Sequence, residues 1–216
     1  MANVRSAPIP RPELRWQPTL SSAIAGETAF DPSFARTRRI DLDDRAWVDH
    51  VAGWVRADGA LFEHLVAHAP WEHRTVRMYD RMVEEPRLTA WYGRALDDAS
   101  LPAILREMVP ALRAHYDRAF DAVGAALYRD GRDSVAWHSD RIDPALVEPV
   151  VAIVSLGSAR TLRMRPREGR GETRSFRLLP GDLFVMGGTT QAMWQHAVPK
   201  VARAGARISL QFRHST

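Results

Sequence analysis

The sequence contains no cysteine. That absence excludes disulfide frameworks, thiolate zinc sites and cysteine nucleophiles, and it is compatible with a reducing compartment. No apolar run approaches the roughly 20 residues that cross a bilayer as a helix. Residues 1–20 are also too polar and too rich in proline for a secretory signal. We therefore expect a cytoplasmic protein without membrane contacts.

Lysine is almost absent, since Lys200 is the single lysine and 29 of the 30 basic residues are arginines. Guanidinium groups favour phosphate, although the codon usage of a GC-rich genome produces the same bias. The formal net charge of +4 suits a polyanionic partner but does not identify one. No phosphate-binding loop or dinucleotide fingerprint is present, which disfavours an enzyme with a nucleotide cofactor.

A length of 216 residues with 45% hydrophobic composition predicts one domain. We also expect a monomer. Residues 1–39 contain several prolines without apolar periodicity, which predicts an extended N-terminal arm. Residues 40–216 are expected to form the single domain.

Apolar spacing predicts three helical regions. Two short amphipathic helices begin from Asp43 and are separated near Gly59. A third begins at Ser100 as its N-cap and runs to about Val123, with Pro110 bending or splitting it. The apolar positions that define the first two are Trp47, Val51, Trp54, Val55, Leu61, Leu65 and Val66.

After Gly124 the sequence predicts eight short strands separated by turn residues. Their approximate bounds are 125–129, 134–138, 150–156, 161–165, 174–179, 183–186, 194–198 and 207–213. This pattern predicts an α+β protein with a mainly β core, a jelly roll (double-stranded β-helix) with helices packed outside.

His138 and Asp140 form an H-x-D tripeptide directly after an apolar strand. Side chains two residues apart on a strand point to the same face, so the imidazole and the carboxylate are expected to converge. His196 is the candidate third ligand, from another strand. Two imidazoles and one carboxylate leave open positions on iron for oxygen and a chelating cosubstrate. The tripeptide alone also occurs by chance.

The last predicted strand places its apolar residues on one face and both Arg207 and Arg213 on the other. Arginines inside a barrel require an anion. Six extended residues span about 20 Å, so the two guanidiniums bind one carboxylate together only if strand twist and their long side chains draw them close. Serving the two ends of a dicarboxylate, or one end plus the metal shell, is easier. Tyr128, before the H-x-D tripeptide, adds a hydroxyl donor.

Together, H-x-D, a histidine 58 residues after His138, and R-x5-R in the last strand resemble the AlkB family of Fe(II)/2-oxoglutarate-dependent dioxygenases. The segment PRLTAWYG at 86–93 resembles that family's nucleotide-recognition segment, which is expected at about 74–100. The segment GTTQAMWQHAVP at 188–199 is similar to its distal-ligand strand. The likeness covers about residues 74–213, with the jelly-roll core expected at 124–213.

The resemblance implies that Fe(II) and 2-oxoglutarate activate oxygen to hydroxylate an N-methyl group on a base of single- or double-stranded DNA, or of RNA. Formaldehyde, succinate and carbon dioxide are the implied products. The implied metal ligands are His138, Asp140 and His196. The implied cosubstrate contacts are Tyr128, Arg207, Ser209 and Arg213. The implied substrate contacts are Arg87, Trp91 and Tyr92, although Trp91 could equally be a core aromatic.

This chain departs from the family pattern at three positions. Ala126 replaces the asparagine of N-x-Y and Ser209 replaces that of R-x-N, so the cosubstrate is held more weakly or by a rearranged set of contacts. Ile142 stands where many members carry an acidic residue against the damaged base. Either Asp143 is presented instead by a one-residue shift, or base discrimination differs.

A cluster of arginines lies on one predicted strand and the turn after it: Arg160, Arg163, Arg165, Arg167, Arg170 and Arg174. This hairpin either follows a phosphate backbone, with Arg165 and Arg170 as candidate contacts, or is simply solvated. Arg160 could instead be structural. His64 and His68 lack the H-E-x-x-H pattern and are expected to be surface residues.

Three functions remain open from the sequence. The leading one is oxidative demethylation of DNA. The second keeps the metal and cosubstrate but acts on RNA, a small molecule or a protein. The third is a non-catalytic nucleic-acid binder.

Overall fold

The computed structural model describes residue 14 and residues 27–78, 81–93, 101–140, 146, 148–168 and 171–214. Within them, two packed sheets and three helices form the protein, with elements numbered in chain order. No helix in this part of the chain is long and apolar enough to cross a membrane.

The larger sheet is antiparallel and has eight strands in the described part of the chain. In spatial order they are β2 (Thr37–Asp41), β3 (Ala46–Val51), β12 (Leu183–Gly188), β9 (Val151–Gly157), β14 (Arg207–Arg213), β7 (Ala122–Tyr128), β6 (Arg81–Trp91) and β5 (Glu72–Met78).

The smaller sheet has four described strands, also antiparallel. Their order is β11 (Arg174–Leu178), β10 (Arg160–Pro166), β13 (Trp194–Val198) and β8 (Val135–His138). A separate pair joins β1 (Ala29–Phe30) to β4 (Val55–Arg56), and the helices are α1 (Asp58–His68), α2 (Ala103–Tyr116) and α3 (Thr190–Met193).

Two apolar cores lie on opposite faces of the larger sheet. The helix-side core joins that sheet to α1 and α2, with members such as Leu65, Leu112 and Phe212. The inter-sheet core lies between the two sheets and includes Phe184 and Met164. The jelly roll with helices outside is thereby confirmed, and each strand of the larger sheet has two distinct faces.

Strand β14 shows the predicted alternation. Ile208, Leu210 and Phe212 are fully buried in the helix-side core, while Arg207 and Ser209 lie on the opposite face. The register places Arg207 opposite Tyr128 of β7. One face of β14 therefore stabilises the fold and the other supplies polar groups.

The helix predicted to begin near Asp43 is wrong, because Ala46–Val51 forms strand β3. This strand lies between β2 and β12 and is buried on both faces: Val48 belongs to the inter-sheet core and Val51 to the helix-side core. A strand covered on both sides has no polar–apolar alternation, so periodicity cannot separate it from a buried helix.

The other two predicted helices are present as α1 and α2. Pro110 lies inside α2, which continues through it from Ala103 to Tyr116. The predicted extension of this helix to about Val123 is wrong, because Ala122 and Val123 begin strand β7. The predicted N-cap, Ser100, lies outside the described residues, as do residues 1–26 apart from Leu14. Of the predicted arm, residues 27–39 pair with the domain through β1 and β2.

Candidate functional site

Three potential metal ligands meet at one end of the smaller sheet. His138, the last residue of β8, lies opposite His196 of β13, and their ring centres are 4.3 Å apart. Oδ2 of Asp140 lies 3.9 Å from Nε2 of His196. One ligand atom from each residue lies within 4.8 Å of the others. Two imidazoles and one carboxylate fit Fe(II) coordinated by protein on one face, with open positions on the other.

The imidazoles of His138 and His196 can each donate a nitrogen lone pair to a metal ion. Nδ1 of His138 lies 2.8 Å from the carbonyl oxygen of Ala136, and a proton donated there leaves Nε2 free for a metal. Burial lowers the pKa of His196 to about 4, against the opposing effect of the Asp140 carboxylate. At neutral pH the His196 ring is therefore uncharged.

Asp140 is positioned differently from the prediction. Strand β8 ends at His138, so strand alternation does not orient the carboxylate. Its backbone N–H donates to Oε1 of Gln191 at 3.0 Å, and its Oδ1 accepts from Nη1 of Arg213 at 3.3 Å. Ser139 between the ligands donates to the carbonyl of Trp194 at 2.7 Å. Contacts from α3, β13 and β14 thus hold the loop.

Arg207 is a buried cation with unused hydrogen-bonding capacity. It is 1% exposed, its Nε donates to Oγ of Ser155 at 2.9 Å, and its guanidinium lies 5.3 Å from the Tyr128 ring centre. Among the described residues its Nη1 has no hydrogen-bond partner. Burial lowers the pKa of Arg207 to about 10, which leaves it charged at neutral pH. Such a group requires an anion, and a cosubstrate carboxylate fits.

Ser209 and Tyr128 share that face with Arg207. Ser209 is 4% exposed and lies in register with Ala126 on one side and Ser155 on the other. Ala126, Ser209 and Ser155 all have small side chains. The amide of the asparagine that Ala126 replaces is therefore not substituted by a larger polar group from these neighbours. Ser155 was not predicted; its register with Ser209 and its hydrogen bond from Arg207 identify it.

Arg213 lies at the metal end of the same strand face. Its contact with Asp140 favours the arrangement, left open by the sequence, in which one arginine serves the cosubstrate and the other the metal shell. The Arg213 guanidinium also lies 4.9 Å from the ring centre of Trp91.

Trp91 has the exposure expected of a stacking surface. It is 49% exposed and lies opposite Gly124 of β7. A Cβ at Gly124 would lie 3.1 Å from Cε3 of Trp91, so glycine allows the ring to rest against the strand. Arg87 is mostly buried, bonds the carbonyl of Ser134 at 3.4 Å and pairs with Glu85 at 3.1 Å.

The predicted contact of Tyr92 with the substrate base is wrong. It is 5% exposed and belongs to the helix-side core, so it offers no open ring face for a base. The neighbouring Trp91 points the other way because successive side chains alternate across the sheet.

Arg165 also faces away from the metal ligands. Its register partner is Gln195, and Nε and Nη2 of Arg165 donate to Oε1 of Gln195 at 3.2 and 3.0 Å. The guanidinium lies 4.3 Å from the Trp137 ring centre. Gln195 precedes His196, so the two side chains occupy opposite faces. Arg165 can therefore contact nucleic acid only outside the base pocket. Asp143, Ile142 and Arg170 lie outside the described residues.

Arg160 has a structural role, which was one of the two alternatives that the sequence left open. It is 3% exposed and donates to the carbonyl oxygens of Asp130, Asp133 and Pro199 at 2.8 to 3.0 Å. His64 and His68 are exposed on α1, and within the described part of the chain the triad is the one cluster with metal-ligand spacing.

Comparisons with known proteins agree with this geometry. A family model described as the 2OG-Fe(II) oxygenase superfamily matches residues 55–213. The chain is 32% identical to human alpha-ketoglutarate-dependent dioxygenase alkB homolog 3, over 97% of this chain and 74% of that protein. It is 26% identical to the DNA oxidative demethylase ALKBH2 of Arabidopsis thaliana, over 90% of this chain and 74% of that protein.

Two solved structures share the fold. One is OsALKBH1, with a TM-score of 0.56 and 14% identity over 82% of this chain and all of that chain. The other is a Pseudomonas putida prolyl-4-hydroxylase, with a TM-score of 0.54 and 18% identity over 77% of this chain and 92% of that chain. Given the family match and the 32% identity across nearly its whole length, this protein belongs to the AlkB homologues of the 2OG-Fe(II) oxygenase superfamily, whose cofactors are Fe(II) and 2-oxoglutarate.

Proposed function

We propose that this protein is an oxidative demethylase that repairs N-alkylated bases in DNA. The observation that carries the proposal is the triad of His138, Asp140 and His196 linked through Arg213 to the half-exposed ring of Trp91. When bound, Fe(II) and 2-oxoglutarate supply the oxygen activation that hydroxylates an N-methyl group, which then leaves as formaldehyde. Succinate and carbon dioxide are the other products.

The side chains have separate tasks in this proposal. His138, Asp140 and His196 hold the metal. Arg207 binds a carboxylate of 2-oxoglutarate, with the hydroxyls of Tyr128 and Ser209 on the same face. Because Arg207, Tyr128 and Ser209 are buried, water is excluded and the ion pair between Arg207 and the carboxylate is stronger than it would be in solvent.

Trp91 receives the modified base. Chemistry on a base requires taking it out of the stack, which costs a few kcal/mol and less for a lesion that has already lost its pairing. Stacking on an aromatic ring returns about 1–3 kcal/mol per base. DNA is favoured as the target because the Arabidopsis relative carries the name of a DNA oxidative demethylase.

The test combines cofactor binding with turnover. Anaerobic addition of Fe(II) and 2-oxoglutarate should produce a weak visible charge-transfer band. Aerobic incubation with N-methylated single-stranded DNA should then release formaldehyde and succinate in equal amounts. The unmethylated oligonucleotide and the same sequence as RNA are the controls. A band without DNA-stimulated turnover would assign another substrate, and absence of the band would favour a non-catalytic binder.

A further inference from the structure

Asp140 lies just beyond the sheet that carries the two histidines. Strand β8 ends at His138, so backbone pairing with β13 fixes His138 but not the residue two positions later. The backbone N–H of Asp140 instead donates to Oε1 of Gln191 at 3.0 Å, while Arg213 contacts the carboxylate itself. The position of the Asp140 backbone therefore depends on where the Gln191 amide is held.

Gln191 is itself firmly placed. It is 7% exposed within α3, and its Nε2 lies 3.9 Å from Sδ of Met186 in β12. The short helix is closed by backbone bonds from Ala192 and Met193 to the carbonyl of Thr189, at 3.1 and 2.8 Å. A buried amide with both ends in contact has little rotamer freedom, which makes it a suitable anchor.

The same connection also delivers the third ligand. Helix α3 leads directly into β13, and His196 lies five residues after Gln191. Any shift of this connection therefore moves the imidazole and the bond to Asp140 together.

We propose that Gln191 is a positioning residue for the metal carboxylate. By fixing the Asp140 backbone it keeps Oδ2 at its 3.9 Å distance from Nε2 of His196, ready for a shared ion. An amide performs this task without adding a charge beside the cation. The inference rests on the proposed metal site and not on the proposed nucleic-acid substrate.

A simple packing role for Gln191 makes different predictions. Gln191→Met keeps the length and the burial of the side chain but removes the oxygen acceptor. Gln191→Glu keeps an acceptor oxygen at the same distance along the chain. Packing alone would tolerate methionine, whereas positioning requires an acceptor. Gln195→Met is the matched control, because Gln195 is next to His196 but bonds Arg165 on the opposite face.

The experiment is a titration of the full chain with Co(II), followed by visible absorption. Loss of a group that orients a metal ligand typically costs about 10–100-fold in metal affinity. We expect Gln191→Met to weaken Co(II) binding by that factor and to change the absorption bands. Gln191→Glu should restore binding to near the unsubstituted level, and Gln195→Met should bind normally.

Normal Co(II) affinity and spectrum in Gln191→Met would overturn the proposal, as would equal losses in Gln191→Met and Gln195→Met. If Gln191→Met does not fold, Gln191→Asn serves instead, because its amide is one methylene too short to reach Asp140. Weakened binding by folded Gln191→Asn supports the proposal and normal binding overturns it. Failure of the unsubstituted chain to bind Co(II) would refute the metal site itself.

Discussion

Arg213 connects the stacking surface to the metal carboxylate: its guanidinium lies 4.9 Å from the Trp91 ring centre while its Nη1 lies 3.3 Å from Oδ1 of Asp140. A cation over an indole ring contributes about 0.5–2 kcal/mol, depending on exposure. A single side chain thus lies between the proposed stacking residue, Trp91, and the proposed metal ligand, Asp140.

Trp91→Ala should weaken binding of methylated single-stranded DNA by about 1–3 kcal/mol, because the stacking surface is lost. Trp91→Phe should retain most of the affinity. The free energy of unfolding should change little, since the ring is half exposed. Fluorescence anisotropy and chemical denaturation measure the two effects.

Tyr92→Ala provides the contrast, with an expected loss of stability of about 3–5 kcal/mol, as for other buried aromatics. If Trp91→Ala bound DNA normally while Tyr92→Ala bound it poorly in its folded form, the roles of the two residues would be reversed.

Arg207→Ala should raise the concentration of 2-oxoglutarate needed for half-saturation by at least about 30-fold, since truncating a buried charge that pairs with a ligand costs about 2–5 kcal/mol. The affinity for DNA should remain unchanged. Isothermal titration with 2-oxoglutarate and DNA binding give the comparison, and equal losses in both would exclude a dedicated cosubstrate role.

Arg160→Ala removes a second deeply buried arginine. Its three carbonyl partners lose their donors, and each unsatisfied buried group costs about 1–3 kcal/mol. We expect a strong loss of stability without a selective change in 2-oxoglutarate affinity of the folded protein. A selective loss of 2-oxoglutarate affinity would instead assign Arg160 to the cosubstrate site.

His138→Ala should abolish metal binding and turnover while the far-ultraviolet circular dichroism stays unchanged, because the side chain is only partly buried at the end of a strand. His64→Ala, an exposed histidine on α1, is the matched control and should retain full activity. An active His138→Ala protein would show that the ligand assignment is wrong.

Asp58 carries a pH-dependent contribution to stability. Burial raises its pKa above the ordinary value, with the Gly157 N–H bond opposing the shift. Because the folded state binds the proton more tightly than the unfolded state, stability is lost as pH rises through the folded-state pKa. Asp58→Asn should therefore gain stability relative to the unsubstituted protein as pH rises from 4 to 7. Parallel stability curves for the two proteins over this range would refute this contribution.

The strands after Gly124 were predictable because glycine, proline and aspartate separate them and their apolar runs are short. The hairpin of β5 and β6 was not predictable, since charged residues interrupt the alternation of apolar and polar side chains in both strands. Strand β3 was mistaken for a helix because both of its faces are buried.

The clustering of His138, Asp140 and His196 was predictable from residue type and spacing, but the support of Asp140 was not. The bond to Gln191 joins residues 51 positions apart, and no local pattern records such a contact. Likewise, the separation of Trp91 from Tyr92 became clear only from the register of β6 with β7.

Strand β14 constrains how this protein can vary in length. A single residue inserted or deleted within Arg207–Arg213 would exchange the strand's two faces, turning guanidiniums toward α1 and α2 and aliphatic side chains toward the triad. Folding and chemistry would be lost in the same step. Insertions and deletions among descendants of this sequence should therefore accumulate in the connecting loops and leave this segment at constant length.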